Sequence, residues 1–454
     1  MKRVLIANRG EIACRIIAAC HGLGLESIAV YSEADAATRH VRLADLAYPI
    51  GPARVDKSYL DVEAVLAVAR ASGADAIHPG YGLLSENAGF AAAVRDADLT
   101  WVGPTPDMIT AMGDKGTARA LAAAAGVPIL PGSPRFAGAS PEEIAAHGEA
   151  TGFPLLVKAA GGGGGIGMRR VDWPEDLVGV VESTQAMAAR AFGNPTVYLE
   201  RYVPTARHIE VQVFGFGDGR AVHLYERECS IQRRFQKVIE EGPSPALDAA
   251  TRESMTTAAV ALAASQNYAG AGTVEFIFDQ DTGDFYFLEM NTRIQVEHAV
   301  SEMITGLDLV RMQLRLAGGE RFDGFGQDSV ASEGHAIELR LYAENPAKNF
   351  MPSPGKLSRA VFPEGSGFRV DTGFEEGDTI TPHYDPLVAK LIVHGADREQ
   401  AIARGREMLQ QTRVEGPFTN LFLLRAVLDH PAFVAGRTFT SFLDIHKQDL
   451  LAPA

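Results

Sequence analysis

The chain has 454 residues, enough for roughly three domains, and is 46% hydrophobic and 22% charged, the composition of an ordinary soluble globular protein. A formal net charge of −15 argues against nucleic-acid and anionic-membrane partners, both of which reward basic patches. Three cysteines without a CxxC pair (Cys14, Cys20, Cys229) offer no disulfide framework or zinc site and fit a reducing, cytoplasmic compartment; the apolar run at residues 4–7 is too short for a signal peptide or a membrane span.

Residues 4–7, 27–31, 74–78 and 100–102 read as strands, with helices between them at about 11–22 and 61–72, the alternation of an open parallel sheet. Two loops at carboxyl ends of such strands, Asn8-Arg9-Gly10-Glu11 and His78-Pro79-Gly80-Tyr81-Gly82, stand where binding groups collect, although each alone reads as a structural turn. Gly113-Asp114-Lys115 opens an alanine-rich helix, and a lysine at a helix N-terminus is misplaced unless an anion is close.

Residues from about 132 to 202 read as a separate small lid. Within it Phe153-Pro154-Leu155-Leu156-Val157-Lys158-Ala159-Ala160 is a strand ending near a lysine, and Met168-Arg169-Arg170-Val171 is a returning strand. The run Gly161-Gly162-Gly163-Gly164-Gly165-Ile166-Gly167 between them differs from a Rossmann or P-loop site, where the glycines open a helix. Backbone N–H groups in such a loop can approach phosphate oxygens closely; a plain polyglycine linker fits an apolar hairpin beside a lysine less well.

Further on, Thr273-Val274-Glu275-Phe276-Ile277-Phe278 and Phe285-Tyr286-Phe287-Leu288 form an expected antiparallel hairpin. If its loop closes symmetrically about Thr282, Glu275 stands opposite Glu289, and alternation puts Asn291 on the same side. Opposed carboxylates about 5 Å apart at Cβ repel each other, so two of them with a carboxamide suit Mg²⁺ or Mn²⁺. The hairpin alone leaves open a solvated acidic face with the register off by one. A tail from Gly334 follows, with strands at 335–343 and 386–394 and helices near 397–411 and 417–430.

Lys115, the Lys158 glycine hairpin and the Glu275/Glu289/Asn291 hairpin together resemble the ATP-grasp superfamily. The chain is closer still to biotin carboxylase, from Ile6-Ala7-Asn8-Arg9-Gly10-Glu11-Ile12 to the C-terminal helices. Matching motifs include His78-Pro79-Gly80-Tyr81-Gly82-Leu83-Leu84-Ser85-Glu86-Asn87, Met112-Gly113-Asp114-Lys115, Gln232-Arg233-Arg234-Phe235-Gln236-Lys237, and Glu289-Met290-Asn291-Thr292-Arg293-Ile294-Gln295-Val296-Glu297-His298. The resemblance implies an α/β and α+β chain. It would have an N-terminal Rossmann-like domain (1–113), an ATP-grasp domain (114–330) with the lid inside it, a C-terminal biotin carboxylase domain (331–446) and a tail (447–454).

It also implies roles. Lys115, Lys158, Gly163, Gly164, Gly165, Met168, His208, Gln232 and Ile277 would contact ATP, and Glu200, Arg201 and Val203 would form the hinge that reads adenine. Glu275 and Glu289 would hold Mg²⁺ with Asn291 beside them. Lys237, Arg293, Gln295 and the Val296 backbone would cradle bicarbonate. Glu297 would be the general base, Arg340 the arginine that steadies the biotin enolate, and Tyr81 a neighbour of the biotin ring. Spacing alone leaves open an Arg340 salt bridge to Glu338 or Glu344.

The implied activity is carboxylation of biotin on a carrier protein through carboxyphosphate, the first half-reaction of an acetyl-CoA or other acyl-CoA carboxylase. A biotin carboxyl carrier protein and carboxyltransferase subunits are the implied partners, on separate chains because no Ala-Met-Lys-Met site occurs, unless the sequence is a piece of a longer protein; a homodimer is implied as well. Three positions depart from the family pattern: Phe235 for a histidine, Ile166 for an arginine and Ala299 for a proline. Another ATP-grasp acyl-phosphate ligase is the alternative within the superfamily. A nucleotide-binding scaffold that no longer catalyses is the alternative outside enzymes.

Overall fold

The computed structural model describes residues 1–160, 167–234 and 236–451, and these form two compact units. The first comprises Met1–Val127, Arg207–Phe276 and Leu288–Ala454; the second comprises Pro128–Ala206 and Ile277–Phe287. Gly161 to Ile166, Phe235 and Ala452 to Ala454 lie outside the described residues, and with them the readings placed on Gly163, Gly164, Gly165, Ile166 and Phe235.

The first unit opens with a five-stranded parallel sheet in the order Leu46–Gly51, Glu26–Ser32, Arg3–Ile6, Ala76–His78, Thr100–Trp101. Four of these strands fall where the sequence places them. The edge strand Leu46–Gly51 carries no such signal, because its burial is irregular and Pro49 interrupts it, as suits an edge. Helices Gly10–Gly22 and Val62–Ser72 are the expected crossovers. The helix Lys115–Ala124 has Asp114 as its N-cap, accepting from the Thr117 N–H at 2.8 Å.

The larger sheet of eight strands runs Phe285–Asn291, Ala269–Asp279, Ala206–Phe216, Ala221–Arg233, Gln236–Gly242, His335–Tyr342, Leu387–Gly395, Phe368–Thr372. From Ala206–Phe216 to Phe368–Thr372 the pairings are antiparallel. One face of the His335–Tyr342 and Leu387–Gly395 pair, carrying Ile337, Leu339, Leu341, Leu391 and Val393, packs into a core with helices Arg398–Gln411 and Leu421–Asp429. The opposite face carries Glu338, Arg340 and Lys390, all buried. Alternation along these strands therefore sets an apolar core back to back with a buried charged layer.

The second unit is built on a three-stranded antiparallel sheet, Met168–Val171, Leu155–Ala159, Val197–Arg201, under helices Pro141–Thr151 and Leu177–Phe192. Leu155, Val157, Val171, Val197 and Leu199 point into its core with Ile144 and Val181. The outer end of the Glu275 hairpin belongs to this unit. There the Asp279 N–H donates to the Asp284 carbonyl at 2.8 Å, so the loop is not symmetric about Thr282. An unbroken ladder from that closure would set Glu275 opposite Leu288. Burial instead slips by one residue, with Phe285 and Phe287 buried, then Leu288 exposed and Met290 and Asn291 buried.

Candidate active site

In the first unit, side chains from strands far apart in sequence converge on two buried carboxylates. Glu297, just before helix His298–Thr305, splits its oxygens: Oε1 takes Lys237 Nζ at 2.6 Å and Oε2 takes Arg340 Nη2 at 3.0 Å. Burial pushes the Glu297 carboxyl up, but the charges of Lys237, Arg340 and Arg227 more than offset it and hold the group well below the usual carboxylate range. Arg340 also pairs with Glu240 at 2.5 Å. Its partners are therefore neither Glu338 nor Glu344, the latter being bound to Arg233 at 2.9 Å.

Glu275 is the second hub. Its Oε1 accepts from Gln295 Nε2 at 2.8 Å, Asn291 Nδ2 at 2.9 Å and Lys237 Nζ at 3.1 Å, while Oε2 lies 2.8 Å from His208 Nε2. Burial raises this carboxyl, and Lys237 and His208 pull it down further than burial lifts it. Glu289 differs. Its carboxylate has no hydrogen bond or ion pair among the described residues, and burial and the Glu275 charge push it up, with Lys115 opposing. The two carboxylates thus lie within each other's field despite the shifted loop closure. Arg293 donates to Asn291 Oδ1 at 2.8 Å and to Glu86 Oε2 at 2.9 Å. The Val296 carbonyl accepts from Lys390 Nζ at 2.8 Å.

Two residues that sequence reasoning missed stand beneath these hubs. Arg227, fully buried, donates to Glu210 Oε1 at 2.6 Å, Gln212 Oε1 at 2.8 Å and Gln295 Oε1 at 3.0 Å. Glu210 also takes Lys237 at 2.5 Å, and ligand atoms of His208, Glu210 and Glu275 lie within 4.8 Å of one another. The available signal was charge inside apolar strands, at Glu210 and Arg227, and likewise at Lys390 in Leu387–Gly395. Tyr81 donates its hydroxyl to buried Glu11 and lies within the field of Arg340.

The second unit gathers other predicted residues on one sheet face. Lys158 faces Met168 and Tyr198 in register and is ion-paired with Glu200, while Leu155, Val157 and Ala159 point to the opposite, buried side. Arg201, at the end of its strand, is exposed and Val203 is buried; Ile277 lies in this unit as well. Gln232 is paired in register with Lys237 in the first unit.

An N-terminal α/β domain followed by strand-rich halves and this carboxylate–lysine–arginine cluster define an ATP-grasp ligase. Family models agree in chain order: "Biotin carboxylase, N-terminal domain" matches residues 1–109, "Carbamoyl-phosphate synthase L chain, ATP binding domain" matches 114–324, and "Biotin carboxylase C-terminal domain" matches 338–445. Biotin carboxylase 1 of Bacillus subtilis is 49% identical over 446 residues, covering 98% of this chain and 99% of the relative. Biotin carboxylase of Pseudomonas aeruginosa is 47% identical over 444 residues, covering 98% of this chain and 98% of the relative. Among solved structures, the biotin carboxylase domain dimer of Hydrogenobacter thermophilus 2-oxoglutarate carboxylase, in complex with MgADP, ADP and bicarbonate, superposes with a TM-score of 0.90 at 43% identity. That match covers 100% of this chain and 99% of that one. The chain belongs to the biotin carboxylase family, ATP-dependent ligases that serve biotin-dependent carboxylases.

Proposed function

We propose that the chain uses ATP and bicarbonate to carboxylate biotin on a carrier protein, through carboxyphosphate, with Glu297 as base and Arg340 facing the biotin enolate. The observation that carries this reading is the split Glu297 carboxylate, one oxygen on Lys237 and the other on Arg340. A base so strongly paired is fully ionised but weak. It gains proton affinity when Lys237 turns to a bicarbonate oxygen, so binding the anion switches the base on. Bicarbonate oxygen then attacks the γ-phosphorus, Glu297 takes the bicarbonate proton, and ADP leaves. Carboxyphosphate breaks down to CO₂ and phosphate, the phosphate removes the ureido proton of biotin, and the nitrogen attacks CO₂. Arg340, a permanent charge, stabilises the enolate oxygen of that step.

Glu275 and Glu289 suit Mg²⁺ or Mn²⁺: hard oxygen donors close enough to repel, one of them without a partner among the described residues. The ion would neutralise phosphate charge on the nucleotide. Lys115, Lys158, His208 and Gln232 with the hinge Glu200, Arg201 and Val203 would hold ATP, and Arg293, Gln295 and the Val296 N–H would receive bicarbonate. The carrier, the carboxyltransferase and a second copy of the chain are the partners in this reading, and an acyl-CoA the final acceptor. A cytoplasmic setting fits three buried free cysteines, of which Cys14 and Cys20 are pushed up to about 12 by burial. No helix among the described residues is long and apolar enough to cross a membrane.

The test is bicarbonate-dependent ATP hydrolysis with and without free biotin, run beside Glu297→Gln and Arg340→Ala. Stimulation by biotin that disappears in both variants supports the reading. ATP binding without turnover, even with a cognate carrier supplied, would sink it.

A further inference from the structure

Glu338 lies in the charged layer of the His335–Tyr342 and Leu387–Gly395 pair. It is fully buried, and among the described residues neither carboxyl oxygen has a hydrogen-bond partner. Its neighbours are set by register: Glu240 directly opposite on Gln236–Gly242, Arg340 two residues along its own strand, and Lys390 opposite Arg340 on Leu387–Gly395. Both cations pull its carboxyl down through space, Lys390 more than Arg340, but neither is hydrogen-bonded to it. Arg340 is shared by Glu240 at 2.5 Å and Glu297 at 3.0 Å. Lys390 is committed to the Val296 carbonyl at 2.8 Å and to Glu11 and Asp371 at 3.4 Å. Helix His298–Thr305, packed on the same strands, adds no cation, because burial holds His298 neutral with its pKa at about 3, and Glu302 is engaged by Arg15 and Arg369.

Two buried carboxylates facing each other across a ladder, about 5 Å apart at Cβ, cannot both ionise cheaply. Burial pushes Glu240 up to about 7, with Arg340 opposing and Glu297 adding. Burial, with the Glu240 charge, also drives Glu338 well above the ordinary range against the pull of Lys390 and Arg340. We propose that Glu240 and Glu338 form a carboxyl pair that keeps a proton on Glu338, and that Glu338 is thereby a positioning residue for Arg340 in the biotin step. This rests on the role assigned to Arg340 above. The Glu338 O–H faces Glu240 and shares its negative charge, so Glu240 steadies Arg340 without withdrawing it from the substrate oxygen. With no donor at 338, Glu240 would place its whole charge on Arg340.

The experiment compares Glu338→Met and Glu338→Gln in the full chain, with thermal melts confirming folding. Methionine removes the donor; the glutamine amide keeps one. In Glu338→Met, biotin-dependent kcat falls roughly tenfold or more, the size of one charge-assisted hydrogen bond. KM for ATP and hydrolysis without biotin stay near the parent. Glu338→Gln recovers most of the rate. Equal losses in both variants, or a parallel fall in hydrolysis without biotin, would overturn the pair. Arg340→Ala separates the two levels. Intact biotin-dependent turnover there overturns the reading of Arg340 and the pair with it. Loss there, with no effect of Glu338→Met, overturns the pair alone.

Discussion

Arg227 and Glu210 form a fully buried ion pair, 2.6 Å from nitrogen to oxygen, on adjacent strands that face each other in register. Neither residue belongs to the predicted site, yet Arg227 orients Gln295 and Glu210 orients Lys237, so the pair underlies both carboxylate hubs. Arg227→Ala leaves Glu210, among the described residues, paired with Lys237 alone and should cost about 3–5 kcal/mol of stability, the usual consequence of breaking a buried pair from one side. A urea titration reads this directly, and an unchanged midpoint would refute the structural role.

Lys237 and Arg340 hold Glu297 ionised, so an amide at this position removes the base without removing a hydrogen-bonding group of that shape. Glu297→Gln is expected to lower bicarbonate-dependent turnover by about 10²–10⁴-fold, the span of general-base contributions. ATP binding, followed by calorimetry, should be retained. A loss of binding as large as the loss of turnover would assign Glu297 to ATP binding rather than proton transfer.

Glu289 is repelled by Glu275 in the metal-free protein. Glu289→Gln removes that repulsion and should raise metal-free stability by about 0.2–1 kcal/mol. The same change should weaken Mg²⁺-dependent stabilisation by ADP. Melting curves with ADP, with and without Mg²⁺, measure both effects together. Unchanged Mg²⁺ dependence would mean that Glu289 is not a ligand.

Stability should fall in two stages as pH drops. Burial holds His78 and His298 at about 3 and His40 and His223 at about 4, so the unfolded chain binds protons near its ordinary value of about 6.5 before the native state does. Stability from this source is therefore lost between about 6.5 and 4 for His40 and His223, and on down to about 3 for His78 and His298. Glu302 and Glu241 contribute lower down. Burial raises both, but Arg15 and Arg369 on the first, and His335 and Arg398 on the second, hold them at about 2. Their contribution is complete above about 4.5 and disappears as pH falls toward 2. Glu240 has the opposite sign: raised to about 7, it favours the folded state most below about 4.5 and loses that advantage as pH climbs to neutrality. Denaturant midpoints across this range test the order, and a single transition below pH 4 would exclude the histidine stage.

Much of this was legible from residue order. Strands at 4–7, 27–31 and 74–78 announce themselves by apolar runs bounded by turn residues, and the lid hairpin by a lysine strand and a returning strand around glycines. The motif series from Asn8-Arg9-Gly10-Glu11 to Glu297-His298 pointed to the biotin carboxylase family and singled out Lys237, Glu275, Glu297 and Arg340, which the fold does bring together. Local pattern carries this information because side-chain period and turn chemistry depend only on near neighbours.

Tertiary structure alone decided the rest. The partners of Arg340 are Glu240 and Glu297, not the nearby Glu338 or Glu344, because a strand pairs its neighbours across the ladder rather than along its own sequence. Glu210 and Arg227 read as isolated charges in apolar strands until pairing across the sheet sets them beneath Glu275 and Glu297, and Lys390 likewise until it reaches the Val296 carbonyl. The proton assigned to Glu338 has the same origin. Nothing in Ile337-Glu338-Leu339-Arg340 distinguishes it from a solvated glutamate; burial opposite Glu240, which outweighs the pull of Lys390 and Arg340, is what makes its charge costly to keep.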